Sequence, residues 1–187
     1  MSSTTVFAIL HDGTVVEAGD AHNSHGTAPI IWRTLANKYG VRDPLGFTSL
    51  LGDPGKEPMW SLHETHPLDA TERAVLVFSF DRAYVRSANI PKLCKALREF
   101  YRRHGTGFVD TMMRVAEILE TVATIPDVQG ACFQITSMTD NPWWVRSDDQ
   151  DEGRLFVFGQ DVVPANVIEI FDEPIDWKAS SNAKNDE

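Results

Sequence analysis

His22 and His25 stand three residues apart in Asp20-Ala21-His22-Asn23-Ser24-His25-Gly26, and His63 and His66 repeat that spacing in Leu62-His63-Glu64-Thr65-His66-Pro67. The two pairs hold four of the six histidines of the chain. Imidazoles at i and i+3 can share one ion when both face the same side, and Asp20 or Asp69 would complete a tetrahedral zinc set. A zinc-dependent hydrolase is the chemistry this would serve, with His22, His25, His63 and His66 as ligands or proton carriers. Neither H-E-x-x-H nor C-x-x-C occurs in the chain. A shared ion requires segments 20–26 and 62–69 to meet in space. Both read as loops rather than one fixed helix face, so the expectation is that the pairs do not converge.

The same residues spell His22-Asn23-Ser24 and His63-Glu64-Thr65, each H-x-[S/T]. Twin motifs of this kind resemble the 2H phosphoesterases, and the resemblance implies two histidines acting as general acid and base on a cyclic phosphate. The spacing departs from that family, whose motifs lie further apart on separate strands. A second resemblance is carried by Thr4 to Asp20, TTVFAILHDGTVVEAGD, which is similar to the opening of proteasome-type N-terminal nucleophile hydrolases. It implies Thr4 as nucleophile and Asp20 as supporting acid. Met1-Ser2-Ser3 precede Thr4, and Ala36 stands where the family's lysine would fall.

Three further stretches carry charge or aromatic groups. Asp148-Asp149-Gln150-Asp151-Glu152-Gly153 has a glycine in the register of a calcium loop, but Gly159 occupies the position that needs a bidentate glutamate. It reads as an acidic turn. Beside it lie Trp143 and Trp144, which as neighbours in a strand must face opposite sides of the sheet. Between Tyr84 and Gly105 there are six basic residues and one acidic, Glu99. Lys92, Lys95, Arg98 and Arg102 recur at helical spacing opposite Leu93, Leu97 and Phe100, so they form the polar face of an amphipathic helix and a possible docking face.

These groups must be held by a scaffold, and its elements are legible in part. Thr5 to Glu17 predicts a β-hairpin turning at Asp12-Gly13 in a type I′ turn. Val6, Ala8 and Leu10 then share one face, Phe7 and Ile9 the other, and both faces are covered. Thr27 as cap, Pro29 in the first turn and Gly40 as stop bound a helix. Residues 40–58, rich in Gly and Pro, read as a long loop. Ala74 to Phe80, AVLVFSF, reads as a central strand, since it is continuously apolar. A helix from the Asn89 cap to Gly105 and another from 107 to 124 follow. Short strands are expected at Ala131–Thr136, Trp143–Arg146, Arg154–Phe158 and Val167–Phe171. This pattern is α+β: a single domain over 1–177 with a mixed or antiparallel sheet and about three helices, then a polar, disordered tail over 178–187.

Composition narrows the function class. With 187 residues, 42% hydrophobic content and no run of about 20 apolar residues, the chain has enough material for one core and none for a membrane helix. A net charge of −10 opposes direct binding to nucleic acid or anionic membranes, because phosphate contacts need Lys and Arg. The charge is polarised: from Thr139 onward twelve acidic residues face four basic ones. Cys94 and Cys132 sit in apolar segments and read as reduced buried thiols, which favours the cytoplasm. No stretch brings a nucleophile, a base and an orienting group together. The expected function is therefore non-catalytic: binding of another protein, one whose own surface is basic and suited to nucleic acid. Trp143, Trp144, Asp148, Asp149, Asp151 and Glu152 are the expected contact residues, with Lys92, Lys95 and Arg102 as a second surface. In size and acidity the chain resembles accessory or inhibitory proteins of phages and mobile elements, such as anti-defence inhibitors and immunity proteins. On this reading no cofactor is needed; zinc belongs to the hydrolase alternative.

Overall fold

A computed structural model describes residues 3–22, 27–42, 59–80, 83–105, 111–135, 144–146, 152–155 and 167–171. Strands β1 (Ser3–Leu10) and β2 (Thr14–His22) form the predicted hairpin, pairing from Ser3↔His22 to Ile9↔Val15. Its turn differs from the expected type I′. Gly13 has a φ of 85°, whereas Asp12 keeps a negative one, and the Gly13 amide donates to Leu10 at 2.9 Å. The loop is thus a turn closed by one left-handed glycine. The Asp12 carboxylate accepts the Thr14 amide at 2.8 Å, which offsets the lost ladder bond.

Helix α1 (Ala28–Tyr39) has Pro29 in its first turn and ends at Gly40, left-handed at φ 68°. Thr27 precedes it but its side chain makes no capping bond, being fully buried instead. A 3₁₀ turn (Met59–Ser61) leads into the short α2 (Leu62–Thr65), where a loop was expected.

The larger correction concerns AVLVFSF. Residues Ala70–Phe78 form helix α3, not a central strand. Asp69 Oδ1 accepts the Glu72 amide at 2.9 Å while Glu72 Oε2 accepts the Asp69 amide at 3.2 Å, a reciprocal cap that commits the chain to helix before the apolar run begins. Ala74 to Phe78 are all at most 1% exposed. A helix buried on every side shows no amphipathic period, and its sequence then looks like a buried strand.

Strand β3 (Ala83–Arg86) and a 3₁₀ turn (Ser87–Asn89) lead into α4 (Ile90–His104), and α5 (Thr111–Val122) follows. Asn89 holds the predicted cap position, but the 3₁₀ turn runs directly into the helix and its side chain makes no capping bond. Strands β4 (Val128–Gln134), β5 (Trp144–Arg146), β6 (Glu152–Leu155) and β7 (Ile168–Glu169) complete one sheet. Its order is β5-β6-β2-β1-β4-β3-β7, antiparallel except for the parallel β3–β7 pair. The fold is α+β with a mixed sheet, as expected, and has five α-helices among the described residues rather than about three.

The hairpin alternation holds as far as Ile9; Leu10, past a shift in the β1–β4 register, is only half-buried. Val6 and Ala8 enter the main core with Leu35, Leu76, Leu97, Phe100 and Leu119, so the helices pack on that face. Phe7 and Ile9 join Val15, Tyr84 and Cys132 on the other face, and all five are buried. β1 is thus covered on both sides. Neither cysteine forms a disulfide. Burial raises the Cys94 thiol to about 11 and pushes the Cys132 thiol well above its ordinary range. Both should therefore stay unmodified by a thiol reagent at pH 8 in the native protein and react fully in denaturant, since the thiolate is the reactive form. Rapid native labelling of either would contradict this burial.

Candidate functional site

The histidines land in separate surroundings. His22 ends β2, and its carbonyl accepts Thr111 Oγ1 at 2.8 Å. The His63 side chain is 8% exposed, with its ring edge-on to Phe80 at 5.4 Å and Nε2 3.5 Å from Glu64. His66 lies edge-on to Tyr39 at 5.6 Å and near Thr65 Oγ1, with 3.1 Å to Nδ1. His25 lies outside the described residues. Among the described residues no three His, Cys, Asp or Glu side chains are grouped to hold an ion. Asp20 pairs across the ladder with Thr5, and Asp69 is engaged by Glu72 and Arg103. Thr4 is fully buried and pairs with Ala21 near the start of the β1–β2 ladder.

One row of reactive residue types was not anticipated from sequence. Cys132 lies opposite Tyr84, and Tyr84 opposite Glu169, across β4, β3 and β7. All three are at most 5% exposed. Burial, against a smaller opposing effect of Arg86, pushes the Tyr84 phenol far above its ordinary range, and its hydroxyl donates to the Gln129 carbonyl at 3.1 Å. Thiol and phenol are held neutral, so the row acts as core rather than as a nucleophile.

The basic helix is where charge meets a concave surface. Between α4 and α5 lies a groove of about 540 Å³. Ile90 and Cys94 form its bottom, Pro91 and Ala123 an exposed apolar lip. Its rim carries Lys95, Arg98 and Arg102 with Glu99 and Glu120. Arg98 crosses from α4 to grip Glu120 of α5 with both nitrogens, at 2.6 and 2.8 Å. Arg102 holds Glu99 in the same forked manner at 2.8 and 2.9 Å, and Arg103 bridges Glu99 and Asp69. The guanidiniums of Arg102 and Arg103 keep the Glu99 carboxyl down at about 2. Lys95 is exposed at the rim, and Lys92 sits over the Phe171 ring at 5.7 Å. The pairing of Glu99 with residues three and four ahead is legible in the sequence; the Arg98–Glu120 bridge is tertiary.

The acidic stretch of the sequence is described only in part. Trp144 opens β5 and Glu152 opens β6, paired as Trp144↔Leu155 and Arg146↔Gly153, at the end of the sheet. Trp143, Asp148, Asp149 and Asp151 lie outside the described residues. α4 packs against α3, α5 and β3. Four strand spacings separate β6 from β3, roughly 20 Å.

No helix among the described residues is long and apolar enough to cross a membrane. Compared with known proteins, the chain matches no family model, no curated protein and no solved structure.

Proposed function

We propose that this chain is a non-catalytic binding protein that engages another protein through its acidic β5–β6 edge. The observation that supports this is the charge of the sequence from Thr139 onward, twelve acidic residues against four basic, together with the position of β5 and β6 toward the end of the sheet away from β3. Carboxylates there attract a basic surface and speed encounter, and a tryptophan among them adds contact area that slows dissociation. The partner is a protein with a basic surface, of the kind that grips nucleic acid; the chain itself, at −10, binds none directly. Occupying such a surface is an accessory or inhibitory role, the one played by small acidic proteins of phages and mobile elements. Two buried thiols without a disulfide accord with the cytoplasm.

The test is kinetic. A partner captured with the wild-type chain is presented to Asp148→Lys/Asp149→Lys/Asp151→Lys. Association at low salt should slow by roughly tenfold or more and lose most of its salt dependence. Trp144→Ala should chiefly speed dissociation. Unchanged association of the triple variant at low salt would reduce the acidic edge to a solvated surface.

A further inference from the structure

We propose that the groove between α4 and α5 is a second binding site, one that takes an acidic, partly apolar peptide segment of another protein. This does not rest on the acidic-edge reading, because a different surface and the opposite charge carry it. Lys95, Arg98 and Arg102 line one rim at i, i+3 and i+7, which spreads their charge over about 10 Å of helix axis. A single phosphate needs cations converging on one point; cations in a track suit carboxylates strung along a chain.

The groove already displays the chemistry it would use. Arg98 takes a carboxylate from Glu120 with two nitrogens, and Arg102 takes one from Glu99 likewise. The Arg98–Glu120 pair is exposed, at 36% and 53%; in the other, Arg102 is 71% exposed while Glu99, also held by Arg103, is 29% exposed. An exposed pair such as Arg98–Glu120 contributes little to stability, so an incoming carboxylate can replace Glu120 at little cost. Below the rim, Pro91 and Ala123 offer apolar surface over Ile90 and Cys94, which an aliphatic side chain would cover and a polyphosphate would not. α4 carries Lys92, Lys95, Arg98, Arg102 and Arg103 against Glu99, a concentration of positive charge in a chain of −10. An acidic segment is complementary to this face.

The probe is a fluorescein-labelled 12-residue peptide, two repeats of Glu-Leu-Glu-Glu-Leu-Leu, followed by anisotropy. The same peptide with Gln for Glu and a labelled dT12 strand serve as comparisons. The Glu peptide should bind, and its affinity should fall at least tenfold in Lys95→Glu/Arg102→Glu, at two exposed positions whose reversal leaves the core intact. Ala123→Trp should block binding without changing charge. Glu120→Gln should tighten binding by releasing Arg98, whereas Glu117→Gln, the same charge change beside Arg114, should leave affinity where it was. Three results would overturn the proposal: no binding of the Glu peptide, equal binding of the Gln peptide or dT12, or full affinity in the Lys95/Arg102 variant. Ala123→Trp reads the groove even if the charge-reversed variant misfolds, which circular dichroism would reveal.

Discussion

Gly130→Val should destabilise the protein by about 3 kcal/mol or more, because no side chain fits between β3 and β4 at that point. Gly130 pairs with Ile9 on one side and Arg86 on the other. A Cβ there would lie 2.3 Å from the Val85 carbonyl oxygen and 2.5 Å from the Tyr84 ring. The first contact is with backbone and cannot be relieved by a rotamer change. The second involves a ring that is itself 1% exposed and tied through its hydroxyl to Gln129. Trimming Tyr84 to Leu should therefore fail to rescue even Gly130→Ala. Urea unfolding followed by circular dichroism measures the loss, which corresponds to a fall in Tm of roughly 6–12 °C for a chain of this size. A Gly130→Val protein melting within a degree or two of wild type would show that β4 does not approach β3 this closely.

Glu72→Ala should cost about 2–3 kcal/mol, since one carboxylate accepts three donors and joins two helices. Glu72 is 2% exposed. Oε1 accepts Lys38 Nζ at 2.5 Å, and Oε2 accepts the Tyr39 hydroxyl at 2.7 Å as well as the Asp69 amide at 3.2 Å. These bonds join the end of α1 to the start of α3 and complete the α3 cap. Lys38 is half-exposed, so its ammonium finds water when the partner is removed, which keeps the loss below that of a fully buried pair. The pH dependence follows in sign. Burial favours the neutral acid, but the Lys38 and Tyr39 bonds and the Asp69 amide outweigh it, so the Glu72 carboxyl titrates lower in the folded chain than in the unfolded one. A depressed carboxyl contributes stability that is fully present above its unfolded value, about 4.3, and is lost as pH falls through its folded value. Acid unfolding monitored between pH 6 and pH 2 should show a shallower loss in Glu72→Gln than in wild type. Equal slopes in the two proteins would remove Glu72 from the acid response.

The division between sequence and tertiary structure falls along the range of the interactions involved. The hairpin, the stop of α1 at Gly40, the span of α4 and the two-faced burial of β1 follow from neighbours within a few residues, by turn chemistry, capping and alternation. The α+β class followed from the same signals. The segment Ala70–Phe78 shows where that logic misleads: burial of every residue from Ala74 to Phe78 erases the helical period there, and the Asp69–Glu72 cap, a local signal, marks the helix. The polarity of the chain, acidic toward the C-terminus and basic along α4, is a property of sequence. That β5 and β6 lie toward one end of the sheet while β7, with Glu169, pairs with β3 at the other is a consequence of strand order, which places β6 beside β2 and β3 beside β4. The groove likewise exists only because α4 and α5 lie together, so that Arg98 meets Glu120 from 22 residues away and an apolar bottom is framed by charge. His22, His63 and His66 show the reverse case. Their spacing invites a shared ion, yet it fixes only where the backbone carries them, and packing turns the rings of His63 and His66 toward Phe80 and Tyr39.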